Sequence, residues 1–330
     1  MRSLPIASSE SNVVHATETS EACVTSIDVL SPVQTSFTSV FASLDPVVRS
    51  GTMVASFEEA FTKVSHVKRF VNARGTVSAR KLLRSFAPES SPANTLRWDV
   101  DLDKVTGAGI RIALLDSGLN WSSDTFSNAR LHARDFTGSG SLIDPTGHGT
   151  ANSALLLGSH HSDTPGIIPD CDLFFAKVLL PNEWSRSVVA IAAAIRWSVS
   201  CGVHVIILPF GASRGASLIR KEIRKATASG CQVLASAGNM GIDKISFPAW
   251  LPEVTAVSAL TRYGQIFPEC CATEKVDLYC WGEQVPVSML GIPTNISGSS
   301  PAVVLAGGMI ALRSMLDRQK HQREGNDQLD

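Results

Sequence analysis

The chain has few charged residues and almost no net charge. Asp, Glu, Lys and Arg make up 18% of its 330 residues, and the formal net charge is −1. A typical globular domain is about one quarter charged. With 44% hydrophobic residues, the composition predicts a globular protein with a large core and about two domains. It gives no reason to expect binding of the whole molecule to nucleic acid or to an anionic membrane.

Cysteine pairs with the spacing of a zinc site are also absent. The chain has seven cysteines, an odd number, without a C-x-x-C pair or histidines at ligand spacing. We therefore expect most of them to be small buried apolar residues. The sequence predicts no metal site, calcium included, and no cofactor.

Targeting and membrane-spanning segments are not evident either. Residues 1–20 lack the continuous apolar stretch of a secretory signal, and no run of 18 apolar residues predicts a membrane span. An N-x-S sequon at 295–297 agrees weakly, because a glycan there would obstruct a site described below. These features predict a cytoplasmic protein without membrane contact, or a fragment cut from a longer precursor.

The composition changes along the chain and suggests four divisions. Apolar residues with helical spacing follow Phe37, a capping pair Ser56 and Glu59 opens a second helix, and a third covers about 77–86. A stretch rich in Ser and Pro, 85–94, is the best linker candidate. The predicted divisions are a disordered leader (1–34), a helical accessory or pro-region (35–91), an α/β domain (92–316) and a polar tail (317–330).

The second division is rich in positive charge. Seven Lys and Arg residues and no acidic residue lie between Phe61 and Phe86. Solvated helix faces explain most such runs, so we expect no nucleic-acid partner. A regulatory role, in which this block docks a partner protein, stays open as an alternative.

Strand and helix patterns alternate in the α/β division. The runs 110–115 and 203–208 are continuously β-branched and aliphatic, which is typical of strands buried on both faces of a parallel sheet. Helical periodicity covers 187–200 and 216–229. This order predicts an α/β class domain with a doubly wound, mostly parallel sheet, whose functional sites lie beyond the carboxyl ends of the strands.

Four short segments carry residues that suit acyl transfer. Asp116 follows the strand 110–115, His148 lies between two glycines, Asn239 follows the run VLASAG, and Ser297 precedes the apolar helix PAVVLAGGMIAL. Peptide hydrolysis by an alcohol needs a nucleophile, a base, an acid that orients the base, and a donor to the oxyanion. Taken singly, each residue has an ordinary interpretation as a turn residue or a helix cap.

In order and in local wording, the segments IALLDSGL, DPTGHGT, ASAGNMG and ISGSSP resemble the subtilisin-like serine peptidases, or subtilases, over roughly 92–316. The resemblance implies a subtilisin-like fold and serine endopeptidase activity on peptide or protein substrates. It assigns Asp116, His148 and Ser297 to the catalytic triad and Asn239 to the oxyanion hole. In that family the nucleophile lies four positions before a proline, here Pro301, which selects Ser297 over the nearby serines 288, 299 and 300.

The resemblance also assigns a substrate-binding edge. Leu208, Pro209, Phe210 and Gly211 lie where the family pairs an extended peptide as a strand. Pro209 has no N–H, but its carbonyl can still accept a hydrogen bond from a substrate. Phe210 is expected to alter the neighbouring pocket.

Several residues depart from the family pattern close to the nucleophile. Asn295 replaces a glycine, Gly298 replaces a methionine, and alanines at 302 and 151 replace histidines. Asn295 adds a side chain where the backbone runs near the substrate. These departures motivate an alternative function, a catalytically impaired pseudopeptidase that binds extended peptides without cutting them.

Overall fold

The computed structural model describes Leu83 and residues 91–97, 100–102, 104–127, 129–159, 162, 164–289 and 292–326. The expected leader, the first two N-terminal helices and the basic run lie outside the described residues. Of the third helix only Leu83 is described, and its side chain is fully buried.

The centre of the fold is a seven-stranded sheet. Its strands pair in the order β2-β3-β1-β4-β5-β6-β7, and every pair is parallel. The predicted parallel α/β sheet is therefore confirmed. The strands are β1 (Arg111–Asp116), β2 (Arg130–Asp135), β3 (Asp172–Lys177), β4 (Val205–Leu208), β5 (Gln232–Ser236), β6 (Thr255–Leu260) and β7 (Leu278–Trp281).

Helices cover both faces of this sheet. Those with defined bounds are α1 (Ser123–Phe126), α2 (His148–Leu157), α3 (Trp184–Ser200), α4 (Ser217–Ala228) and α5 (Ser299–Asn326). Helices α2 and α5 share one buried apolar cluster with one sheet face, and α3 and α4 share a second cluster with the other. The helices predicted at 187–200 and 216–229 correspond to α3 and α4.

The central strands β1 and β4 account for the continuous apolar runs 110–115 and 203–208. In β1, Ile112 and Leu114 face the α2/α5 cluster, whereas Ala113 and Leu115 face the α3/α4 cluster. Side chains alternate between the faces of a strand, and helices cover both faces here, so neither face needs polar residues. Burying a side chain of this size typically stabilises the fold by about 1.5–3 kcal/mol.

The direction of the strand order reverses between β1 and β4. The chain goes from β1 to β2 and β3 on one side, and β4 to β7 follow on the other side. In open parallel sheets, ligands bind beyond the carboxyl ends of the strands at this position. The fold therefore places the end of β1, at Asp116, beside the expected crevice.

Helix α5 is the central helix of one layer. Its early residues are buried against α2 and strands β4 to β7, and it continues through 317–326 of the predicted polar tail. Among the described residues, the segment Ser299–Gln322 has the length and mean hydropathy (1.3) of a possible membrane span, yet 67% of its most apolar stretch is buried in this domain. Burial in the core accounts for that composition, so it is weak evidence for a membrane segment.

A two-stranded antiparallel hairpin precedes α5 and was not predicted from the sequence. It pairs β8 (Val285–Met289) with β9 (Ile292–Ile296), with Pro286 opposite Asn295. The hairpin carries the chain from the end of β7 to Ser297.

The cysteines of the described region behave as predicted. Six of the seven are described, and all six are buried. They fill the core as small apolar side chains.

Candidate active site

Asp116 and His148 form a direct hydrogen-bonded pair. The Nδ1 atom of His148 lies 2.7 Å from Oδ1 of Asp116, whose side chain is fully buried. The same Oδ1 accepts the backbone N–H of Ser117 at 2.7 Å, and Oδ2 accepts Nδ2 of Asn152 at 2.9 Å. The imidazole is 22% exposed. Its Nδ1 therefore donates to the carboxylate, which leaves Nε2 as the proton acceptor.

Glycines around His148 allow this close approach. Gly147 caps α2 in the left-handed region with φ 77°. A Cβ on Gly149 would lie 2.2 Å from the carbonyl oxygen of Gly118 and 3.1 Å from Cβ of Asp116. Any larger residue at 149 would push α2 away from the end of β1. The Gly-flanked histidine of the sequence is thus explained by helix packing as well as by access.

The surroundings of His148 favour its charged form. Burial alone would lower the pKa of the imidazole, but the charge of Asp116, its hydrogen bond and the charge of Asp144 together raise it above the ordinary value. The carboxylate of Asp116 would therefore stabilise the imidazolium that forms when His148 accepts a proton.

Asp144 holds the loop between the two residues in place. Its Oδ1 accepts the hydroxyls of Ser117 and Thr146, each at 2.8 Å. Its Oδ2 accepts the backbone N–H of Thr150 at 2.9 Å and the Thr150 hydroxyl at 2.8 Å. This buried carboxylate ties the end of β1 to the start of α2. Sequence reasoning missed it, although an aspartate four residues before the histidine was a visible signal.

Asn239 is held by its side-chain oxygen. Oδ1 accepts the backbone N–H of Ser299 at 2.9 Å, the Ser299 hydroxyl at 2.7 Å and the Cys270 thiol at 3.1 Å. The Ser299 hydroxyl also lies 2.5 Å from the Ser236 hydroxyl, at the end of β5. With Oδ1 fixed in this way, Nδ2 has no hydrogen-bond partner among the described residues and remains available as a donor.

Gly298 lies directly against that donor. Its φ is 125°, and a Cβ there would lie 2.9 Å from Nδ2 of Asn239. Glycine at this position therefore fits both the backbone and the amide.

Ser297 is exposed and lies between β9 and α5. Its Oγ accepts a hydrogen bond from the backbone N–H of Gln284 at 2.8 Å. Among the described residues, Gln284 is the hydrogen-bond partner of this side chain. No hydrogen bond joins it to His148 in this structure. Sequence reasoning missed Gln284, and nothing in the local sequence indicates the contact.

The other serines near the nucleophile position are buried or hydrogen-bonded to other groups. Ser299 is fully buried and holds Asn239, and Ser288 is 4% exposed in β8. The Ser300 hydroxyl donates to the carbonyl of Pro209 at 2.8 Å. Of these four serines, Ser297 is the most exposed to solvent.

The site residues gather at one edge of the sheet. Asp116 ends β1, Pro209 follows β4 and Asn239 follows β5, and these three strands are neighbours. The first turn of α5 bonds to Pro209 through Ser300 and to Asn239 through Ser299. The start of α5 therefore lies over the carboxyl ends of β4 and β5, beside the strand that carries Asp116.

The predicted substrate edge, 208–211, lies largely in the core at the end of β4. The side chains of Leu208 and Phe210 are buried in the α3/α4 cluster, so Phe210 does not project into an open pocket. The Pro209 carbonyl, expected to be open to substrate, already accepts the Ser300 hydroxyl, although a carbonyl oxygen has a second lone pair. Gly211 is partly exposed, and a Cβ there would meet Ser246 at 2.5 Å. Only backbone groups of this segment can therefore meet a peptide.

The remaining departures from the family pattern lie in β9 and in the buried α2/α5 cluster. Asn295 is exposed in β9, opposite Pro286. Ala302 and Ala151 are buried in the α2/α5 cluster. Among the described residues, no group of three His, Cys, Asp or Glu side chains is placed to hold a metal ion.

Comparison with known proteins identifies the family of this chain. The model of the Subtilase family matches residues 107–321. The chain belongs to the subtilase family. The predicted resemblance to the subtilases is thus confirmed.

Among its relatives is alkaline elastase YaB from Bacillus sp. (strain YaB), 33% identical over 155 residues, which are 47% of this chain and 40% of that protein. The M-protease of Shouchella clausii (strain KSM-K16) is 33% identical over 210 residues, 63% of this subtilase and 54% of the relative. The chain thus spans about half the length of these curated relatives.

Solved structures show the same fold. The prenylagaramide maturation protease PagA matches with a TM-score of 0.59 and 24% identity, covering 67% of this chain and 82% of that one. The patellamide maturation protease PatA matches with a TM-score of 0.56 and 24% identity, covering 63% and 78%. The subtilisin-like fold predicted from the sequence is confirmed.

Proposed function

We propose that this subtilase is a serine endopeptidase that uses Asp116, His148 and Ser297 as its triad and Asn239 as an oxyanion donor. The observation that carries the proposal is the 2.7 Å bond between Asp116 and His148. This pair lies at the carboxyl edge of the sheet, and the exposed Ser297 lies two residues before the start of α5.

The chemistry follows from the roles of these groups. The Ser297 oxygen attacks the carbonyl carbon of the scissile peptide while Nε2 of His148 takes its proton. His148 then gives this proton to the leaving amine, and an acyl-enzyme remains on Ser297. Water attacks the ester, with His148 again as the base, which releases the acid and restores the hydroxyl. Asp116 holds the imidazole in the required tautomer throughout.

The resting contact of Ser297 sets one condition on this mechanism. Its Oγ accepts the Gln284 N–H, so the hydroxyl has to turn toward His148 when a substrate binds. Such rotation about χ1 joins staggered rotamers and is a common event for an exposed side chain. Catalytic hydrogen bonds are often absent before substrate binds.

Asn239 supports the proposal through its free donor. Its Nδ2 lies over Gly298, the residue next to the nucleophile, while its Oδ1 is fixed by Ser299 and Cys270. A donor that is already oriented stabilises the oxyanion without reorganisation. Losing one such donor typically costs about 10²–10³ in kcat.

The substrate in this proposal is a peptide or protein chain in extended conformation. Leu208, Pro209, Phe210 and Gly211 would present their backbone beside it, because the side chains of Leu208 and Phe210 are buried. Gly211 has the most accessible backbone of the four, so it would be the principal strand-pairing partner.

A fluorophosphonate probe tests the triad directly. The full chain is expected to label on Ser297, Ser297→Ala to lose labelling, and the matched control Ser300→Ala to retain it. Replacing the triad serine typically removes about 10⁶ of kcat, so peptide-library cleavage should disappear as well. An intact wild-type protein that binds peptides but neither labels nor cuts them would overturn the proposal in favour of the pseudopeptidase.

A cytoplasmic location is part of the same proposal. Cys171, Cys231, Cys270 and Cys271 are buried free cysteines, which suits a reducing compartment where disulfides are rare. Fractionation of the source cells, with an antibody against the chain, tests it. Recovery in the secreted fraction would overturn this part and leave the chemistry unaffected.

A further inference from the structure

Asn152 is a buried polar residue in an otherwise buried helix. It lies on α2, whose residues from Gly149 to Leu157 are all buried, and its own side chain is 1% exposed. A polar group is costly at such a position unless its hydrogen bonds repay the loss of water. The contacts of Asn152 should therefore indicate why it is there.

The amide nitrogen of Asn152 binds the carboxylate that serves His148. Nδ2 lies 2.9 Å from Oδ2 of Asp116, the oxygen that His148 does not use. Asn152 follows His148 by four residues, so both side chains lie on one face of α2. Nδ2 is consequently also 3.3 Å from Nδ1 and 3.5 Å from Nε2 of the imidazole.

The orientation of this amide follows from charge. If the amide were turned over, Oδ1 would face the Asp116 carboxylate, and two acceptors would repel each other. In the observed orientation, Oδ1 of Asn152 is buried without a hydrogen-bond partner among the described residues. The side chain thus leaves its acceptor unsatisfied while its donor binds Asp116.

We propose that Asn152 is a positioning residue for the Asp116–His148 pair. Its N–H fixes the second carboxylate oxygen, so that Oδ1 of Asp116 stays directed at Nδ1 of His148 and the buried negative charge is shared among three donors. The role in catalysis rests on the function proposed above, whereas the effect on the imidazole does not.

Removing the amide should change how His148 holds a proton. Without Asn152, the Asp116 charge is compensated only by Ser117 N–H and by the imidazole, so the imidazolium should be bound more tightly. Asp144 is the other charged group that acts on His148. It is unchanged in such a variant.

The test is an NMR titration of the His148 imidazole in the full chain. Asn152→Leu, close to asparagine in shape and without the donor, is expected to raise the titration midpoint. Ser153→Ala is the matched control, because Ser153 is the next residue of α2, fully buried, with a hydroxyl that has no partner among the described residues. A midpoint for Asn152→Leu that is unchanged or lowered relative to this control overturns the proposal.

A second measurement separates this proposal from the proposed function. Above the titration range, fluorophosphonate labelling of Asn152→Leu is expected to fall by about tenfold to a hundredfold, the usual cost of a misplaced catalytic group. Labelling as fast as wild type overturns the positioning role. If wild type itself never labels, the peptidase function fails, and the NMR titration still decides the role of Asn152.

A third variant covers a folding failure. Asn152→Ala removes the amide with a smaller side chain, so the Asp116 carboxylate again loses this donor and the midpoint should also rise. Circular dichroism establishes that each variant is folded before it is titrated. If only this variant folds, an unchanged midpoint in it overturns the proposal.

Discussion

The hydroxyl of Ser297 and the backbone N–H of Gln284 are joined by a 2.8 Å hydrogen bond across the hairpin β8–β9. Gln284 has a positive φ of 48°, in the left-handed region that non-glycine residues seldom adopt. The backbone contact that holds the candidate nucleophile is therefore made at a strained residue, and strain of this kind concentrates at functional sites.

Replacing Gln284 tests this strain. Gln284→Gly should keep the turn and its N–H, whereas Gln284→Val places a β-branched residue where φ is positive. We expect the glycine variant to be the more stable of the two, by about 1–3 kcal/mol in the free energy of unfolding. Urea denaturation of both variants measures the difference. If the two variants have the same free energy of unfolding, the positive φ at position 284 does not strain the turn.

The wild-type pH profile depends on the imidazole of His148. Since its pKa is raised above the ordinary value, the base is protonated over a wider acidic range. Activity should therefore fall on acidification with a midpoint above 6.5, the ordinary histidine value. The free energy of unfolding should change in the opposite direction. The Asp116–His148 pair stabilises the fold at a pH below the pKa of His148 in the unfolded chain. This contribution is lost as the pH rises through the pKa of His148 in the folded protein. A kcat/KM profile and unfolding at several pH values check both statements.

Asp116→Asn separates charge from shape in the same pair. The amide keeps the size of the side chain but removes the charge that raises the pKa of His148. Burial of the imidazole should then lower this pKa. The midpoint of the acidic limb should move to lower pH, and kcat should fall by about 10⁴. Asp135→Asn, at the end of β2, is the control and should change neither quantity. A profile that stays in place would mean that Asp116 does not set the charge of His148.

The sequence predicted the parts of the site that depend on strand ends and glycines. The apolar run 110–115 predicted that Asp116 lies at a strand end, beside the functional edge of a parallel sheet. The pairing of Asp116 with His148 was predicted only from the resemblance of their local segments to the subtilases. Asn152 and Gln284 were not predicted. Their contacts depend on how α2 packs on β1 and on the turn before β8. An asparagine within the apolar helix sequence ANSALLL was the only signal for the first.

The hairpin was missed for a related reason. Strand β9 reads IPTNI and is exposed or half-buried along its length, and β8 contains Pro286. Strands with a clean apolar alternation are recognised from sequence, but these lack it. In this pairing Asn295 lies opposite Pro286 and is exposed.

Gly298 provides a direct test of the oxyanion donor. In Gly298→Ala, the new Cβ would lie 2.9 Å from Nδ2 of Asn239, so the amide has to move. If Nδ2 binds the oxyanion, kcat should fall by up to about 10²–10³. Gly241→Ala is a matched control, because Gly241 has φ 107° with nothing within 4 Å of its Cβ position. Steady-state kinetics measures kcat for both variants. An equal fall in kcat would mean that backbone strain alone causes the loss of activity.

Ser299→Ala tests how Asn239 is oriented. The variant removes the hydroxyl that binds Asn239 Oδ1 at 2.7 Å and the Ser236 hydroxyl at 2.5 Å, but keeps the backbone N–H bond to the same Oδ1. The Ser236 hydroxyl then loses a partner in a buried site, so the free energy of unfolding should fall by about 1–3 kcal/mol. Because two donors to Oδ1 remain, kcat should fall less than in Gly298→Ala, and fluorophosphonate labelling should persist. Loss of all labelling in a folded Ser299→Ala variant would contradict the assignment of Ser297 as the nucleophile. Retained labelling with a reduced rate would agree with a purely orienting role for Ser299.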